Sequence, residues 1–570
     1  MITSSRQKIE EYEGRGLWQG VKLHDLLLER AARQPDLLAL VDQPSRQQLV
    51  GSEPQRLTFA ELQRASAHLA HRLLEQGVGF EDRVIVQLPN IVELVICYLA
   101  ISRIGAIISP IPVQYGQHEL DHIAKVLDAR AYIAVKTLKG KPFGSLMAKT
   151  LGSHLSVLVL DENLHIDYGD DTQARRHLQK HEAANPWDAN HIFTLCWTSG
   201  TTGMPKGVPR SHNMWLSVAL NCIEAGDYRP GDVLLNPFPL VNMASVSAFL
   251  YPFALSGCTL VLHQPFEPEV FLQQLQNESV SFTLAPPSLL NRLAKNETLW
   301  GQFDFSALRA IGSGSAPLSP WMIEKFEGAY GIGVVNYYGS NEGISLVSRP
   351  EDIPEPSVRA CMFPRFGAAG LTWPSRASKS IWTKVVDVKT GEEITEAGVA
   401  GELAVKGPTV FDGYWRADSV EVFTKDGYFL TGDLVEICGD GNRFYRIAGR
   451  CKDIINRGGM KISPSEIDVL LEGLPGTIDV AVCSYADADL GERICACVVP
   501  SDGTNAPKLD KLVDYLCEKG IARIKLPERL ELFSQLPRNP LGKVQRFVLQ
   551  QWVGERIAAG ACAHTDQEEL

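Results

Sequence analysis

Short apolar runs and amphipathic stretches alternate along the early part of the chain. Runs of strand length occur at residues 82–90, 106–112 and 131–135, and stretches with helical spacing lie between them at residues 94–104 and 119–129. Strands that alternate with helices in this way are typical of βαβ units. The pattern therefore predicts a doubly wound, mostly parallel sheet.

The same alternation returns in the middle of the chain. Residues 271–293 predict a helix, a strand and a second helix, and residues 308–319 and 334–343 each predict a strand that runs into a polar turn. Open α/β sheets bind their ligands at the carboxyl ends of parallel strands. These polar turns are therefore candidate ligand sites.

The pattern changes from about residue 380. Short segments of strand character up to residue 448 predict a small antiparallel, β-barrel-like unit, which we assign with the preceding sheets to one large N-terminal domain, residues 1–448. Beyond it, two apolar strands between two helices predict a compact α+β domain, residues 449–570. The expected fold class is thus α/β, with a small α+β domain at the C-terminal end.

Composition and charge narrow the function classes. The chain has 570 residues, too many for one ordinary core, and 55 Lys and Arg against 67 Asp and Glu give a net charge of −12. That charge argues against a nucleic-acid partner. No signal peptide is visible, and the uncharged residues 94–102 are far fewer than the ~20 that cross a bilayer. The 12 cysteines include no C-x-x-C pair, so we expect a cytoplasmic protein without disulfides, zinc or an integral membrane segment.

The stretch TSGTTGMPKG, residues 198–207, carries the first candidate chemistry. It follows an apolar strand at residues 193–197 and is rich in hydroxyls and glycines. Glycines let the backbone approach a ligand, successive N–H groups can surround an anion, and Lys206 adds a positive charge. It lacks the GKS or GKT of a Walker loop. By composition alone, a surface linker fits the stretch equally well.

The order of these ten residues resembles the phosphate loop of adenylate-forming enzymes, which include acyl-CoA synthetases, aryl-acid ligases, non-ribosomal adenylation domains and firefly luciferase. Further motifs of that family follow in the family's order, so the resemblance spans nearly the whole chain, from residues 56–62 to Lys543. It implies that the loop binds the phosphates of ATP through Thr198, Ser199, Gly200, Thr201, Thr202, Gly203 and Lys206.

Two polar turns after predicted strands match further family motifs. NYYGSNEG, residues 336–343, implies that Tyr338 stacks on adenine beside Gly339 and that Glu342 binds Mg²⁺, a hard cation that prefers carboxylate oxygens. Asn341 stands where the family usually has a threonine that contacts phosphate. GSGSAPLS, residues 312–319, resembles the turn beside adenine and the acyl pocket, and implies ATP contacts from Gly314, Ser315 and Ala316.

Three late motifs complete the resemblance. They are YFLTGDL at residues 428–434, GRCKDIINRGGMKISPSEID at residues 449–468 and LPRNPLGKVQR at residues 536–546. The resemblance implies ribose contacts, a hinge about which a mobile C-terminal domain turns, a tunnel for a pantetheine thiol and a catalytic lysine. The residues for these roles are, in that order, Asp433 and Arg450, Lys452, Gly458 and Gly459, and Lys543.

The implied reaction converts a carboxylic acid and ATP into an acyl-adenylate and then transfers the acyl group to a thiol. Attack of a carboxylate on a nucleotide anion is opposed by charge, which cations and N–H donors around the phosphates relieve. Lys206, Lys543 and Mg²⁺ on Glu342 would supply that charge, so we assign Lys206, Glu342 and Lys543 as catalytic. An inactive nucleotide-binding protein on the same fold is the remote alternative, and the presence of these residues argues against it.

The acid is predicted from PFPLVNMASVSAF, residues 237–249. Aryl-acid ligases typically have His–Asn in this segment, whereas this chain has Asn242 and Met243 and no carboxylate for an α-ammonium group. Met243 places a flexible apolar side chain where the family has a polar one. We therefore expect a small apolar acid (medium-chain, alicyclic or plain aryl) in a pocket formed by Asn242, Met243 and Ser313. A hydroxybenzoate stays an alternative, because the nearby Ser313 and Ser315 offer it other polar contacts.

Within the family, the chain looks most like the 2,3-dihydroxybenzoate–AMP ligases and the medium-chain or alicyclic acyl-CoA synthetases. The strings YEGRGLWQG near the start and INRGGMKIS in the hinge region suggest this. The acyl acceptor is accordingly CoA, which we favour, or the phosphopantetheine arm of an acyl or peptidyl carrier protein, because both offer the same thiol. The sequence leaves a monomer and a homodimer open.

Overall fold

A computed structural model of the chain describes residues 1–152, 154–199, 205–314, 318–417, 419–451, 453–457, 460–487, 490–501, 506–519, 521–539 and 542–565. The chain divides into two compact units. Unit 1 comprises Met1–Thr383 and Val405–Phe429, and unit 2 comprises Lys384–Ala404 and Leu430–Leu570.

The described strands, in chain order, are β1 (Leu38–Val41), β2 (Arg56–Thr58), β3 (Arg83–Gln87), β4 (Ile107–Pro110), β5 (Ala131–Val135), β6 (Thr137–Leu138), β7 (Lys141–Pro142), β8 (Ser156–Leu160), β9 (Ile192–Ser199), β10 (Pro205–Ser211), β11 (Val233–Asn236), β12 (Thr259–Leu262), β13 (Phe282–Leu284), β14 (Ala310–Gly314), β15 (Gly333–Gly339), β16 (Ser345–Ser348), β17 (Met362–Pro364), β18 (Trp382–Val386), β19 (Glu393–Ile394), β20 (Ala400–Lys406), β21 (Phe429–Cys438), β22 (Phe444–Arg450), β23 (Ile455–Arg457), β24 (Met460–Ile462), β25 (Thr477–Asp487), β26 (Gly491–Pro500) and β27 (Arg529–Leu532).

The described α-helices are α1 (Arg6–Gly14), α2 (Leu23–Arg33), α3 (Arg46–Val50), α4 (Phe59–Glu75), α5 (Val92–Arg103), α6 (Gln117–Leu127), α7 (Gly144–Met147), α8 (Thr172–Ala184), α9 (His212–Ala225), α10 (Met243–Ser245), α11 (Tyr251–Ser256), α12 (Pro268–Asn277), α13 (Pro287–Lys295), α14 (Glu297–Trp300), α15 (Pro320–Tyr330), α16 (Pro356–Cys361), α17 (Pro464–Leu471), α18 (Leu509–Glu518) and α19 (Arg546–Thr565).

Two large sheets form the frame of unit 1. One has eight strands in the order β16-β15-β14-β13-β11-β12-β1-β2, and the other has six in the order β10-β9-β4-β3-β5-β8. The strands from β15 to β1 run parallel, as do those from β9 to β8, while β16, β2 and β10 are antiparallel strands at the edges. The predicted mostly parallel, doubly wound architecture is confirmed.

A fully buried helix lies in the core of unit 1. Every residue of α5 is buried, because its apolar side chains point in all directions and not along one stripe. Its one acidic residue in the first turn, Glu93, is buried and accepts a hydrogen bond from Arg46 at 2.7 Å. A buried charge needs such a partner, so the pair explains how this helix tolerates a carboxylate.

The ends of four parallel strands bring the predicted motifs to the carboxyl edges of the two sheets. Strand β9 ends where the phosphate loop begins, β14 and β15 lie side by side and end in the two polar turns, and β11 leads into the predicted acid-pocket segment. This is the edge at which open α/β sheets bind ligands. The predicted motifs therefore lie together at the carboxyl edges of the strands, as the sequence pattern predicted.

Unit 2 contains an α+β layer structure. Strands β24, β23, β26 and β25 lie in that order, and β27 pairs in parallel with β26. Apolar residues of α17 and α18 cover one face of this sheet, and α19 covers the other. Strands β22, β21, β20, β18 and β19 follow one another in a second sheet with antiparallel β21–β22 and β18–β19 pairs.

The large N-terminal α/β part and the smaller C-terminal α+β part agree with the expected fold class. The compact units nevertheless divide the chain differently from the predicted boundary between residues 448 and 449, since residues 384–404 and 430–448 belong to unit 2. The predicted boundary marks a hinge, which compactness does not test, and it stays a prediction. Within the residues that the structure describes, no helix has the length and apolar character that crossing a bilayer requires.

Candidate functional site

The strand pair β9–β10 holds the two ends of the predicted phosphate loop. Pro205 pairs with Ser199, and Lys206 pairs with Thr198, so the two ends of the predicted loop lie side by side. Gly200, Thr201, Thr202 and Gly203 lie outside the described residues. The Lys206 side chain is exposed, and its Nζ lies 5.0 Å from the centre of the Tyr414 ring.

Glu342, the predicted magnesium ligand, lies in the turn after β15 and is buried, with 8% of its surface exposed. Its Oε1 accepts a hydrogen bond from the Tyr414 hydroxyl at 3.1 Å, and its backbone carbonyl accepts one from the Phe411 N–H at 2.9 Å. Tyr414 therefore contacts both the glutamate and Lys206, the two predicted catalytic residues of unit 1. Among the described residues, no hydrogen bond to the second oxygen of this carboxylate is seen, which fits Mg²⁺, since that ion usually takes one or two protein carboxylates together with phosphates and water.

The predicted adenine-side residues lie on neighbouring strands. Tyr338 is partly exposed near the end of β15, with its ring centre 5.7 Å from that of Phe363, and Gly339 is the last residue of that strand. A Cβ atom at Gly314 would lie 2.2 Å from the carbonyl oxygen of Tyr337, so only glycine allows β14 to approach β15 this closely. Ser315 and Ala316 lie outside the described residues.

Asn341 links the two sheets at their ligand-binding edges. Its side-chain Oδ1 accepts a hydrogen bond from the backbone N–H of Met243 at 2.8 Å, and its Nδ2 donates to the carbonyl of Trp197 in β9 at 3.3 Å. The side chain is 7% exposed. Where the family has a threonine, this chain thus has a residue that joins the phosphate-loop strand to the predicted acid-pocket segment.

Arg210 in β10 also joins the two sheets, through hydrogen bonds of its buried side chain. Its guanidinium is fully buried and donates to the carbonyl oxygens of Asn341, Thr409 and Met214 at 2.9, 2.9 and 3.3 Å. The guanidinium also lies 4.4 Å from the ring centre of Trp215. Burial lowers the pKa of Arg210 to about 10, so this residue stays a cation at neutral pH.

The three residues predicted for the acid pocket are all placed beside these strand ends. Asn242 caps α10 by accepting a hydrogen bond from the Ser245 N–H at 3.2 Å, and Met243 is buried. The Ser313 hydroxyl is buried and donates to the carbonyl of Ala285 at 2.8 Å. Asn242 Oδ1 and the Ser313 hydroxyl thus have backbone partners, whereas Met243 is apolar and buried.

The predicted ribose-binding pair lies in unit 2. Asp433 in β21 and Arg450 in β22 are directly opposite in register, and the Arg450 Nε donates to Asp433 Oδ1 at 2.9 Å. The pair is ordered by the antiparallel strands, so the carboxylate has a fixed orientation. The predicted hinge Lys452 and the predicted tunnel residues Gly458 and Gly459 lie outside the described residues.

Lys543 is held in a tight turn of unit 2. Its backbone N–H donates to the side chain of Asn539 at 2.9 Å, and the N–H of Asn539 donates to the Lys543 carbonyl at 2.8 Å. The side chain as a whole is exposed, yet loss of hydration around its amine lowers the pKa of Lys543, and the charge of Arg450 adds to this while Asp433 opposes it. The charges of the predicted ribose-binding pair thus act on the predicted catalytic lysine.

Comparison with known proteins decides the family. The model of the AMP-binding enzyme family matches residues 27–415, and that of the AMP-binding enzyme C-terminal domain matches residues 466–543. The chain belongs to the AMP-binding enzyme family. The family resemblance drawn from the motifs is therefore confirmed, and the chain is an AMP-forming acid ligase of this family.

Relatives of both expected kinds match almost end to end. The chain is 28% identical to the 2,3-dihydroxybenzoate-AMP ligase of Bacillus subtilis (97% of each chain). It is also 28% identical to the medium-chain fatty-acid–CoA ligase of Escherichia coli K12, over 98% of this chain and 95% of the relative. The crystal structure of ATP-bound MatB from Rhodopseudomonas palustris superimposes with a TM-score of 0.74 and 25% identity, covering 94% of this chain and 99% of MatB.

Two residues of this AMP-binding enzyme escaped the motif analysis. Tyr414 lies far along the chain from Lys206 and Glu342, in a segment without regular structure. Arg210 lies just after the phosphate loop, where an arginine suggests a solvated side chain. The sequence signal for Tyr414 is the segment FDGYW, residues 411–415, in which three aromatic residues and a glycine lie between two β segments.

Replacing Asn341 by alanine should destabilise the AMP-binding enzyme. The Met243 N–H and the Trp197 carbonyl would both lose a buried partner, and each unsatisfied buried group costs about 1–3 kcal/mol. We expect urea unfolding to show a loss of about 2–3 kcal/mol and kinetics to show a raised KM for the acid. The control Asn277→Ala, at an exposed position, should change stability by less than about 0.5 kcal/mol. Equal stability of both variants would contradict the assigned link.

Replacing Gly343 by alanine should disrupt the turn that holds Glu342. Gly343 has φ = +109°, and a Cβ atom there would lie 2.0 Å from the carbonyl oxygen of Thr409. We expect a loss of at least about 2 kcal/mol in unfolding free energy. As the matched control, Gly328→Ala in α15 adds a Cβ atom in open space, so its stability should stay equal or rise by about 0.5 kcal/mol. A Gly343→Ala protein as stable as this control would refute the turn argument.

Proposed function

We propose that the chain activates a small apolar carboxylic acid as its acyl-adenylate, with ATP and Mg²⁺, and then transfers the acyl group to a pantetheine thiol, most favourably that of CoA. The observation that carries the proposal is that Tyr414 contacts both Lys206 and Glu342 beside the strand ends of unit 1. A cation for phosphates and a carboxylate for a hard cation lie within reach of one tyrosine. This is the pair of charges that phosphoryl transfer requires.

The first half-reaction follows from these groups. The ionised acid attacks the α-phosphorus of ATP, the bond from that phosphorus to the bridging oxygen breaks, and pyrophosphate leaves. Lys206 and Lys543 stabilise the charge that develops on the phosphate oxygens, and no general base is needed because the acid carries no proton to remove. Mg²⁺ bound at Glu342 would neutralise further phosphate charge.

We assign the orientation of the nucleotide to Tyr338 and Asp433 and to the residues that begin the phosphate loop. Tyr338 would stack on adenine, and the Asp433 carboxylate would accept hydrogen bonds from the ribose hydroxyls, with Arg450 fixing the orientation of that carboxylate. Thr198 and Ser199 would lead into the loop that binds the phosphates. Holding the nucleotide at several points away from the reacting atoms supplies the alignment on which the rate depends.

The second half-reaction requires a thiol. Its sulfur attacks the acyl carbonyl carbon, AMP leaves with the electrons of the acyl–oxygen bond, and the thiol proton passes to solvent. We propose that unit 2 turns about Lys452 between the two half-reactions and that Gly458 and Gly459 line the path of the pantetheine arm. A carrier protein that presents the same arm is the alternative acceptor, since AMP-binding enzymes related to this chain include both a CoA ligase and an AMP ligase.

An apolar acid is supported by the pocket-side residues. Asn242 Oδ1 and the Ser313 hydroxyl have backbone partners, and Met243 is 7% exposed with no charged residue next to it in the sequence. The hydroxyl of a hydroxylated acid would need a polar partner in the pocket. A pocket that offers this hydroxyl no hydrogen bond disfavours the binding of such an acid. We therefore favour medium-chain, alicyclic or aryl acids over hydroxybenzoates and amino acids.

An acid panel tests the proposed function. We expect acid-dependent exchange of labelled pyrophosphate into ATP to be fastest with a medium-chain, cyclohexane or benzoate acid and at least about tenfold slower with 2,3-dihydroxybenzoate or an α-amino acid. CoA and a phosphopantetheinylated carrier protein are then compared as acceptors of the best acid. Absence of exchange with every acid would refute the ligase assignment, and preference for a dihydroxybenzoate would refute the apolar pocket.

Lys543 and Gly459 should separate the two half-reactions. Lys543→Ala removes a cation needed for adenylation, so we expect pyrophosphate exchange to fall by at least about 100-fold while thioester formation from supplied acyl-adenylate changes less than about threefold. Gly459→Leu should do the reverse, because its side chain would obstruct the thiol. Lys519→Ala, at an exposed position of unit 2, serves as the control and should leave both half-reactions unchanged. Equal loss of both half-reactions in Lys543→Ala would contradict its assigned role.

A further inference from the structure

Tyr414 contacts both predicted catalytic groups of unit 1. Its hydroxyl donates to Glu342 Oε1 at 3.1 Å, and the Lys206 ammonium lies 5.0 Å from its ring centre. We propose that Tyr414 is a positioning residue that orients the Glu342 carboxylate for Mg²⁺ and seats Lys206 for the phosphates of ATP. The inference rests on the proposed function, because it presupposes that both groups act on MgATP.

The backbone around Tyr414 is fixed to the same two motifs. The Phe411 N–H donates to the Glu342 carbonyl at 2.9 Å, and the Trp415 N–H donates to the Gly207 carbonyl at 2.8 Å. The backbone of residues 411–415 therefore donates one hydrogen bond to the turn that contains Glu342 and one to the strand that contains Lys206. The tyrosine side chain extends from a segment that is anchored at both ends.

The hydrogen bond between Trp415 and Gly207 requires the two residues to approach each other closely. Trp415 is buried to 7% exposure, and a Cβ atom at Gly207 would lie 3.2 Å from the Trp415 Cβ. The Tyr414 N–H also donates to the Ser419 hydroxyl at 2.8 Å, which restricts the backbone on the other side. Because the backbone cannot shift easily, the positions of the Tyr414 hydroxyl and ring are set before any ligand binds.

The two contacts act on different groups. The hydroxyl donates to one oxygen of Glu342, so it fixes the plane of the carboxylate and leaves the second oxygen to face a cation. The ring face attracts the Lys206 ammonium, which otherwise has a flexible four-carbon stem in solvent. Removal of the hydroxyl alone should thus affect magnesium-dependent binding, whereas removal of the ring should affect the phosphate contact as well.

Two variants separate these contacts. Tyr414→Phe keeps the ring and removes the hydroxyl, and Tyr414→Leu removes both. The matched control is Tyr330→Phe, because the Lys325 ammonium lies 5.5 Å from the Tyr330 ring in a second lysine–tyrosine pair that the proposed mechanism does not use. Calorimetric titration with ATP, once in excess Mg²⁺ and once in EDTA, measures binding without turnover, and thermal unfolding verifies that each variant is folded.

The expected pattern differs between the variants. Tyr414→Phe should bind ATP in EDTA as the unchanged chain does, within about twofold, but should bind MgATP about five- to tenfold more weakly. Tyr414→Leu should lose affinity under both conditions, and Tyr330→Phe should lose it under neither. In pyrophosphate exchange, Tyr414→Phe should need more Mg²⁺ for half-maximal rate, while its KM for the acid stays within about twofold of the unchanged value.

Other outcomes distinguish the inference from the function on which it rests. If Tyr414→Phe binds MgATP as tightly as the unchanged chain, or weakens both conditions equally, Tyr414 does not position Glu342, while the ligase assignment stands. If the unchanged chain shows no magnesium-dependent ATP binding, both the inference and the proposed function are overturned. A Tyr414→Leu protein that unfolds at a much lower temperature is excluded from the comparison, and the phenylalanine variant then decides.

Discussion

A buried guanidinium and a buried amide join the two sheets of unit 1 at their ligand-binding edges. Arg210 belongs to the six-stranded sheet and donates to the carbonyls of Asn341 and Thr409, while the Asn341 side chain bonds to the backbone at Trp197 and Met243. A charged group without contact to water is costly unless hydrogen bonds replace its hydration. The Arg210 Nε has no acceptor among the described residues, so the bonds from Nη1 and Nη2 alone offset this cost. The carbonyls around Arg210 must therefore keep their positions, and this constraint fixes the polypeptide on which the candidate site is built.

The consequences extend to the segment that follows Ala404. Thr409, which accepts from Arg210, donates through its hydroxyl to the Gly343 carbonyl at 2.8 Å, and the bonds from Phe411 and Trp415 follow directly along the chain. This succession of contacts explains why residues 405–429 belong to unit 1 although the chain on both sides of them belongs to unit 2. The segment carries Tyr414 to Glu342 and Lys206, so the same contacts that define the unit also arrange its charged groups.

The sequence predicts those features of the fold and the site that depend on residues close together in the chain. The strands that end at Ser199 and Gly339 are visible as apolar runs, and the positions of Lys206 and Glu342 follow because a polar motif after a parallel strand lies at the carboxyl edge of a sheet. Tyr414 could not be placed, because its role depends on the bonds of Phe411 and Trp415 to residues far away in the chain. The sequence indicates Asn341 only as a replacement for the family's threonine, because the backbone partners of its amide at Trp197 and Met243 lie far away in the chain.

The charged groups of the proposed chemistry are shared between the two units. Lys206 and Glu342 are organised by contacts within unit 1, whereas Asp433, Arg450 and Lys543 are organised by a strand pair and a tight turn within unit 2. Since each set has its own internal partners, the hinge motion proposed above would not require either set to be rebuilt. The proposed rotation would then leave the local geometry of each set unchanged while the two proposed half-reactions follow one another.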